Sequence, residues 1–170
     1  AFQRRTQRLG QDALAHARRN HRMAAVMLTR PYHSDPGIQH GISSELAARG
    51  VTVLSLSSLP RSDAALLDLS TVLPGCTNSG DAEKVWAARV IGQDPNLVAV
   101  ELSSFRCGQD AAIQGVLSDL LDGKGKPVLR IHDLDEDRPS ASLQVRVDTF
   151  VHAVHQCEDA LHAAERMCAP

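Results

Sequence analysis

Long apolar runs are absent from this sequence. No stretch approaches the roughly 20 apolar residues that a membrane-spanning helix needs, and the N-terminus lacks the apolar core of a secretion signal. The four cysteines are widely spaced and form no Cys-x-x-Cys pair, which argues against a disulfide framework and against an autonomous zinc knuckle. We therefore expect a soluble, cytoplasmic protein with reduced thiols and no membrane partner.

The sequence signatures of nucleotide binding are also absent. There is no Gly-x-Gly-x-x-Gly fingerprint and no Gly-Lys-Ser/Thr phosphate loop. The formal net charge of -2 gives no general attraction to nucleic acid, although the first 22 residues contain six arginines against one acidic residue, Asp12. The favoured interpretation of this arginine excess is a solvated helix, so we expect no nucleic-acid partner.

The length and composition favour one domain with a substantial core. The chain has 170 residues, of which 43% are hydrophobic. Residues 2–21 show the pattern of a basic amphipathic helix that starts without an initiator methionine or an obvious cap. We interpret residues 1–22 as an N-terminal basic helix at the edge of a longer protein, and residues 23–170 as a single α/β domain.

Buried-strand patterns alternate with helical patterns along the chain. Strands are predicted at residues 23–28, 51–56, 97–102 and 127–131. Helices are predicted from an Asp35 N-cap to Gly50, over residues 81–91, from Cys107 to Gly123, and after Pro139. This alternation predicts a doubly wound, parallel four-stranded sheet in three layers, flavodoxin-like or Rossmann-like, with strand order 2-1-3-4. Residues 57–80 show only a short helical pattern at 63–69 and are interpreted as a lid or docking surface.

Two loops, at residues 29–36 and 103–110, each follow a buried strand and precede a helix. In an open parallel sheet, ligands bind beyond the carboxyl ends of the strands where the strand order reverses, which is between the first and third strands here. We therefore predict that the two loops form one crevice. Its candidate residues are Arg30, Tyr32, His33, Asp35, His40, Arg106, Gly108 and Asp110.

Cys107 is the candidate for chemistry in this crevice. The following helix dipole and Arg106 both favour its thiolate form, which suits a metal ligand or a nucleophile. A cysteine hydrolase would need His33 within hydrogen-bond reach of this sulfur. The alternatives are an ordinary loop cysteine, histidines bonded to loop backbone, and Asp35 acting only as a cap. Arg106 and Gly108 also make the second loop a weak candidate for anion binding.

Both loops resemble motifs of the large CoA-substrate-specific enzyme activases, the acyl-CoA dehydratase activase-related proteins associated with 2-hydroxyacyl-CoA dehydratases. The first motif, Gly-Arg-Pro-Tyr-His-x-Asp-Pro-x-x-Asn-His-Gly-Ile, is similar to residues 29–42 and matches at Arg30, Pro31, Tyr32, His33, Asp35, Pro36, His40, Gly41 and Ile42. The second, Ser-Phe-Gly-Cys-Gly-x-Asp-Ala, is similar to residues 104–111. The similarity extends over about residues 23–150. Thr29, Gln39 and Arg106 depart from the motifs.

The resemblance implies a role in a system where an ATPase module drives an electron from an iron–sulfur cluster to a dehydratase. It implies that Cys107 is one cluster ligand and that the crevice residues shape a cluster or acyl-CoA site. A four-iron cluster usually needs four cysteine ligands, so the others would come from outside this chain. We expect no cofactor in the isolated domain and no catalysis by it alone. The expected partners are other domains of the same protein or a dehydratase subunit.

A different class of function also fits the sequence. The chain could be a non-catalytic interaction domain of a larger multidomain protein, in which the arginine at position 106, beside Cys107, marks a degenerate site.

Overall fold

Four parallel strands lie at the centre of the structure, a computed structural model that describes residues 2–61, 68–75, 78–104, 108–134 and 141–168. The strands are β1 (Ala24–Leu28), β2 (Thr52–Ser55), β3 (Leu97–Leu102) and β4 (Val128–Ile131). Their order is β2-β1-β3-β4, and all three neighbouring pairs are parallel. The predicted sheet, including its strand order, is therefore confirmed.

Helices cover both faces of this sheet. They are α1 (Phe2–Arg19), α2 (Ile42–Ala48), α3 (Ser79–Gln93), α4 (Gly108–Leu121) and α5 (Ala141–Cys168). The helices α1, α3 and α4 share one apolar cluster with the sheet, and α2 and α5 share the other. This arrangement gives the three predicted layers. No helix in the described part of the chain has the length and apolar composition needed to cross a membrane.

The two central strands are apolar almost throughout because they are covered on both sides. Every residue of β1 and β3 is buried, whereas β2 and β4 at the edges are only partly buried. Along β1, Ala24 and Val26 join the cluster with α1, α3 and α4, while Ala25 and Met27 join the cluster with α2 and α5. This period of two explains why an unbroken apolar run forms a strand with two packed faces.

The basic N-terminal helix packs onto the domain through a small residue. Leu14 and Ala17 of α1 belong to the core, with exposed fractions of 5% and 1%. A Cβ atom added at Gly10 would lie 1.9 Å from the carbonyl oxygen of Ser58, which belongs to a 3₁₀ helix after β2. Glycine is therefore required at the point where the two backbones meet.

The prediction that the first crossover helix begins at Asp35 is wrong. A 3₁₀ helix, Pro31–Ser34, follows β1, and α2 begins only at Ile42. Asp35 does cap a turn: its Oδ1 atom accepts the backbone N–H groups of Gly37 and Ile38 at 2.8 and 3.2 Å. That turn ends after a few residues, so Asp35 does not start α2.

The reason for the early stop is the backbone at residues 40 and 41. His40 has a φ of 52° and Gly41 a φ of 71°, both left-handed. The N–H of Gly41 donates to the carbonyl of Pro36 at 2.9 Å, and that of His40 to Gly37 at 3.2 Å, the two bonds of a Schellman motif. As a result Ile38 is 45% exposed, while Ile42 of α2 is buried as predicted.

Other predicted boundaries agree more closely with the structure. Gly50 and Gly123 end helices with φ values of 82° and 69°. The helix α3 begins two residues before its predicted start, because Asn78 caps it by accepting the N–H groups of Gly80 and Asp81 at 2.9 and 3.1 Å. Most of the helical pattern predicted at 63–69 lies outside the described residues.

Candidate functional site

The carboxyl edge of the sheet between β1 and β3 holds a buried group of charged side chains. Arg30 lies two residues after β1, and its backbone is extended (φ -81°, ψ 158°) because a proline follows it. Asp81 and Asp110 lie in the first turns of α3 and α4. The fold therefore brings one cation and two anions to the point where the strand order reverses.

Arg30 connects the two helix starts. Its Nε donates to Asp110 Oδ1 at 2.9 Å, and its Nη2 lies 2.8 Å from the same oxygen. The same Nη2 donates to Asp81 Oδ1 at 2.5 Å. A Cβ at Gly80 would lie 2.8 Å from Arg30 Nη1, so the glycine leaves room for the guanidinium. The rigid fork of donors on arginine suits this bridging position.

Two further residues complete the group around Asp110. Lys84 of α3 is fully buried, and its Nζ donates to Asp110 Oδ1 at 2.8 Å. The hydroxyl of Ser103, directly after β3, donates to Asp110 Oδ2 at 2.8 Å. The charges of Arg30 and Lys84 thus balance those of Asp81 and Asp110. We call these five residues, Arg30, Asp81, Lys84, Ser103 and Asp110, the buried polar cluster.

The environment of Asp110 and Arg30 favours their ionised forms. Burial acts to raise the pKa of Asp110, but the hydrogen bond and charge of Lys84, the hydroxyl of Ser103 and the charge of Arg30 outweigh it and lower that pKa to about 2. Burial acts to lower the pKa of Arg30, and the contacts with Asp81 and Asp110 reverse this effect and raise it. A carboxylate with so low a pKa is poorly suited to general acid–base catalysis near neutral pH. Asp110 instead anchors the start of α4.

The remaining first-loop candidates have separate local roles. His33 is buried, and its Nδ1 accepts the backbone N–H of Arg30 at 3.2 Å, while its ring lies 4.3 Å from that of Tyr32. Tyr32 is 47% exposed at the surface of the loop. His40 Nε2 lies 3.2 Å from the carbonyl of Leu134, beyond β4. The two histidines therefore bond to backbone, and Asp35 caps its turn.

The second loop is fixed at both ends. Arg106 and Cys107 lie outside the described residues, and so does the proposed pairing of Cys107 with His33. Ser103 and Asp110 flank this segment, and the hydrogen bond between them joins its ends. Gly108 begins α4, and an added Cβ there would meet no atom within 4 Å. Ser103 and Asp110, on either side of positions 105–107, thus lie next to Arg30.

The described residues do not supply a metal site by themselves. Among them, no group of three or more His, Cys, Asp or Glu side chains could hold a metal ion. Cys76 and Cys107 lie outside those residues. Cys157 is described, but it lies beside Gly125, before β4, at the opposite edge of the sheet.

A small cleft lies beside the buried polar cluster. Its volume is about 170 Å³, and it separates the loops after β1 and β2. Four hydroxyl side chains line it, together with Arg30 and Glu83 of α3: Thr29, Ser34, Ser55 and Ser57. The cleft is smaller than the roughly 300 Å³ at which typical small-molecule sites begin. It can hold only a short group or part of a larger ligand.

Sequence reasoning missed three members of the buried polar cluster. Asp81 and Lys84 have the spacing of an ordinary exposed helical pair, and Ser103 resembles any loop serine. The available signal was the position of Lys84 next to the apolar run from Val85 to Ala88, since a lysine within a buried helical segment needs a buried anion.

Comparison with known proteins bears on the N-terminal third of the chain. Residues 1–59 match a family described as the CoA enzyme activase uncharacterised domain. This segment contains α1, β1, the first loop and β2, and it confirms the predicted resemblance there. No curated protein and no solved structure matches the chain.

Proposed function

Because residues 1–59 of this chain are related to the CoA enzyme activases, we propose that the chain is a domain of an activase-related or dehydratase-like protein of the 2-hydroxyacyl-CoA dehydratase system. In this proposal the carboxyl edge between β1 and β3 completes an iron–sulfur cluster or an acyl-CoA site. Cys107 is one ligand, and the remaining groups come from outside this chain, either from other domains or from a dehydratase subunit.

The contact between Arg30 and Asp110 is the main support for this proposal. It attaches the first loop, which lies in the family match, to the start of α4, which follows Cys107 directly. A cysteine just ahead of a helix N-terminus is favoured as a thiolate, the form that binds metal. The buried polar cluster would then position that thiolate, and one of its members, Arg30, also lines the adjacent cleft.

The donor set limits what this chain can contribute. Cys157 lies at the opposite edge of the sheet, and Cys168 lies eleven residues further along the same helix α5, so Cys107 and at most Cys76 are available here. A cluster would supply one-electron transfer, and this chain would hold one of its thiolates. For an acyl-CoA ligand, the hydroxyl-lined cleft of about 170 Å³ has room for an acyl or thioester part only.

The test is anaerobic reconstitution of the full-length gene product with iron and sulfide. We expect Cys107→Ser to lose most of the visible cluster absorbance, because one thiolate is removed, and Cys157→Ser to retain it. Unchanged absorbance in Cys107→Ser would rule out the ligand role. Equilibrium dialysis of the same preparations with a short acyl-CoA tests the acyl-CoA site. Binding of the ester by protein that holds no iron would assign the carboxyl edge to acyl-CoA binding.

A second function is favoured by the balance of charges in the buried polar cluster. Two cations and two anions neutralise each other, which is typical of a structural element. The chain would then be a non-catalytic interaction domain. Full-length protein that binds neither iron nor CoA ester but copurifies with a partner subunit would support this function over the first.

A further inference from the structure

A second cavity lies at the amino-terminal edge of the sheet, opposite the buried polar cluster. Its volume is about 420 Å³, within the range of small-molecule sites. The residue before β1, the turn before β3 and the segment before β4 form one side, and the C-terminal half of α5 forms the other. Most of its lining is apolar or small, as in Met23, Pro95, Cys157, Ala160 and Leu161.

Two lysines, Lys124 and Lys126, interrupt this apolar lining. The Nζ of Lys126 donates to the carbonyl of Asp94 at 2.8 Å and to that of Ile91, at the end of α3. An ammonium has three N–H donors, so one remains for a ligand. Within the described ranges, no carboxylate lies at ion-pair distance from Lys126.

The charges around Lys126 leave its ammonium able to accept an anionic partner. Burial lowers the pKa of Lys126, the charge of Asp94 acts to raise it, and the neighbouring charge of Lys124 acts to lower it. The Asp94 carboxylate is already paired with Arg18. The other nearby carboxylate, Glu158, accepts the N–H of Met23 at 2.8 Å and pairs with Arg22 at 3.2 Å. A bound anion would relieve the repulsion between the two lysines.

We propose that this cavity binds a small apolar carboxylate of the fatty-acid type. Its alkyl chain lies against Leu161 and Ala160 of α5, and its carboxylate accepts the third N–H of Lys126. The apolar lining favours the alkyl chain of the ligand, and the half-buried ammonium of Lys126 favours its negative charge. The site is independent of the proposed function, because it lies at the other edge of the sheet.

Isotope-labelled protein titrated with octanoate and followed by amide NMR tests this proposal. We expect saturable shifts at Met23, Gly125 and Leu161. Because a charge-assisted hydrogen bond is lost, 1-octanol should bind at least about tenfold more weakly than octanoate. Ala160 is exposed on the rim, so Ala160→Trp should fill the groove without unfolding the protein and should weaken octanoate binding at least about tenfold.

The matched control is Gln156→Trp, an exposed position on the same helix outside the cavity. It should bind octanoate as the unmodified chain does. Equal binding of 1-octanol and octanoate would overturn the assignment of charge recognition to Lys126. Octanoate shifts that are absent, spread over the surface or unaffected by Ala160→Trp would overturn the site itself.

Discussion

Arg30 and Asp110 are separated by 80 residues in sequence, and the Nε of one donates to the Oδ1 of the other at 2.9 Å. Both side chains are nearly inaccessible to water. The contact joins the loop after β1 to the helix after β3 across the reversal of strand order. It therefore brings the first turn of α4, which follows Cys107 in sequence, next to the loop after β1.

Removal of Arg30 should strongly destabilise the fold. Arg30→Met leaves Asp81 and Asp110 without their shared cation, and breaking a buried charge pair in this way costs roughly 3–5 kcal/mol. Arg49→Met is the control, because Arg49 pairs at the surface with Asp148 and Glu45 and its removal should destabilise the fold far less. Urea unfolding followed by circular dichroism gives both values. Equal losses would show that burial of the Arg30 contacts adds nothing.

Stability should fall in acid because of Asp110. Its pKa is about 2 in the folded protein, against an ordinary value of 3.8, so the unfolded chain binds more protons in between. Its ionisation then contributes roughly 2 kcal/mol above about pH 4, and this contribution is lost as pH falls to about 2. Between pH 2 and 6, the free energy of unfolding measured with urea should depend more steeply on pH in the unmodified protein than in Asp110→Asn. Parallel curves for the two proteins would contradict the lowered pKa.

Lys84 and Asp110 should be energetically coupled. Lys84→Met removes one partner of a fully buried pair and should cost about 3 kcal/mol or more. In the double variant with Asp110→Asn, the loss of unfolding free energy should be smaller than the sum of the two single losses by about 1 kcal/mol or more. The reason is that the charge of Asp110, which Lys84→Met leaves uncompensated, is then also removed. A double-mutant cycle in urea measures the difference. Strict additivity would mean that the contact at 2.8 Å carries no energy.

The attachment of α1 depends on Gly10. Gly10→Ala places a methyl group against the carbonyl of Ser58, so either α1 or the 3₁₀ helix after β2 must shift, at a cost of roughly 1–3 kcal/mol. Gly115→Ala in α4 is the matched control. An added Cβ there meets no atom within 4 Å, and the change should stabilise the helix by about 0.5–1 kcal/mol. The midpoint of thermal unfolding should fall in Gly10→Ala and rise in Gly115→Ala. A shift of both midpoints in the same direction would contradict the packing of α1.

The sheet was predictable because its central strands are covered on both sides. The predicted range 97–102 coincides with β3, Leu97–Leu102, since every residue there is buried and all except Glu101 are apolar. The start of α2 was not predictable from capping signals alone. Asp35 and Pro36 are typical of a helix start, yet the left-handed backbone at His40 ends their turn. His40 also makes a tertiary contact that local sequence patterns do not report, from its Nε2 to the carbonyl of Leu134.

The edge of the sheet at which Arg30 and Asp110 lie was predictable, but their contacts were not. The strand-order rule indicated the edge between β1 and β3, and the structure places Arg30 and Asp110 together there. Lys84 could not be assigned in the same way, because its partner Asp110 lies 26 residues away on another helix. Sequence patterns report which face of an element is buried, whereas pairing of charges between two helices depends on how those helices pack.

In the proposed site, the loops bearing Tyr32 and Cys107 face the same crevice. The direct test is cross-linking of Tyr32→Cys to Cys107 with a short bismaleimide, in a chain whose other three cysteines are serine. Val145, exposed on α5, provides the control Val145→Cys. We predict rapid intramolecular cross-linking for Tyr32→Cys and none for Val145→Cys. No cross-link to position 32, or equal yields from both positions, would contradict the account.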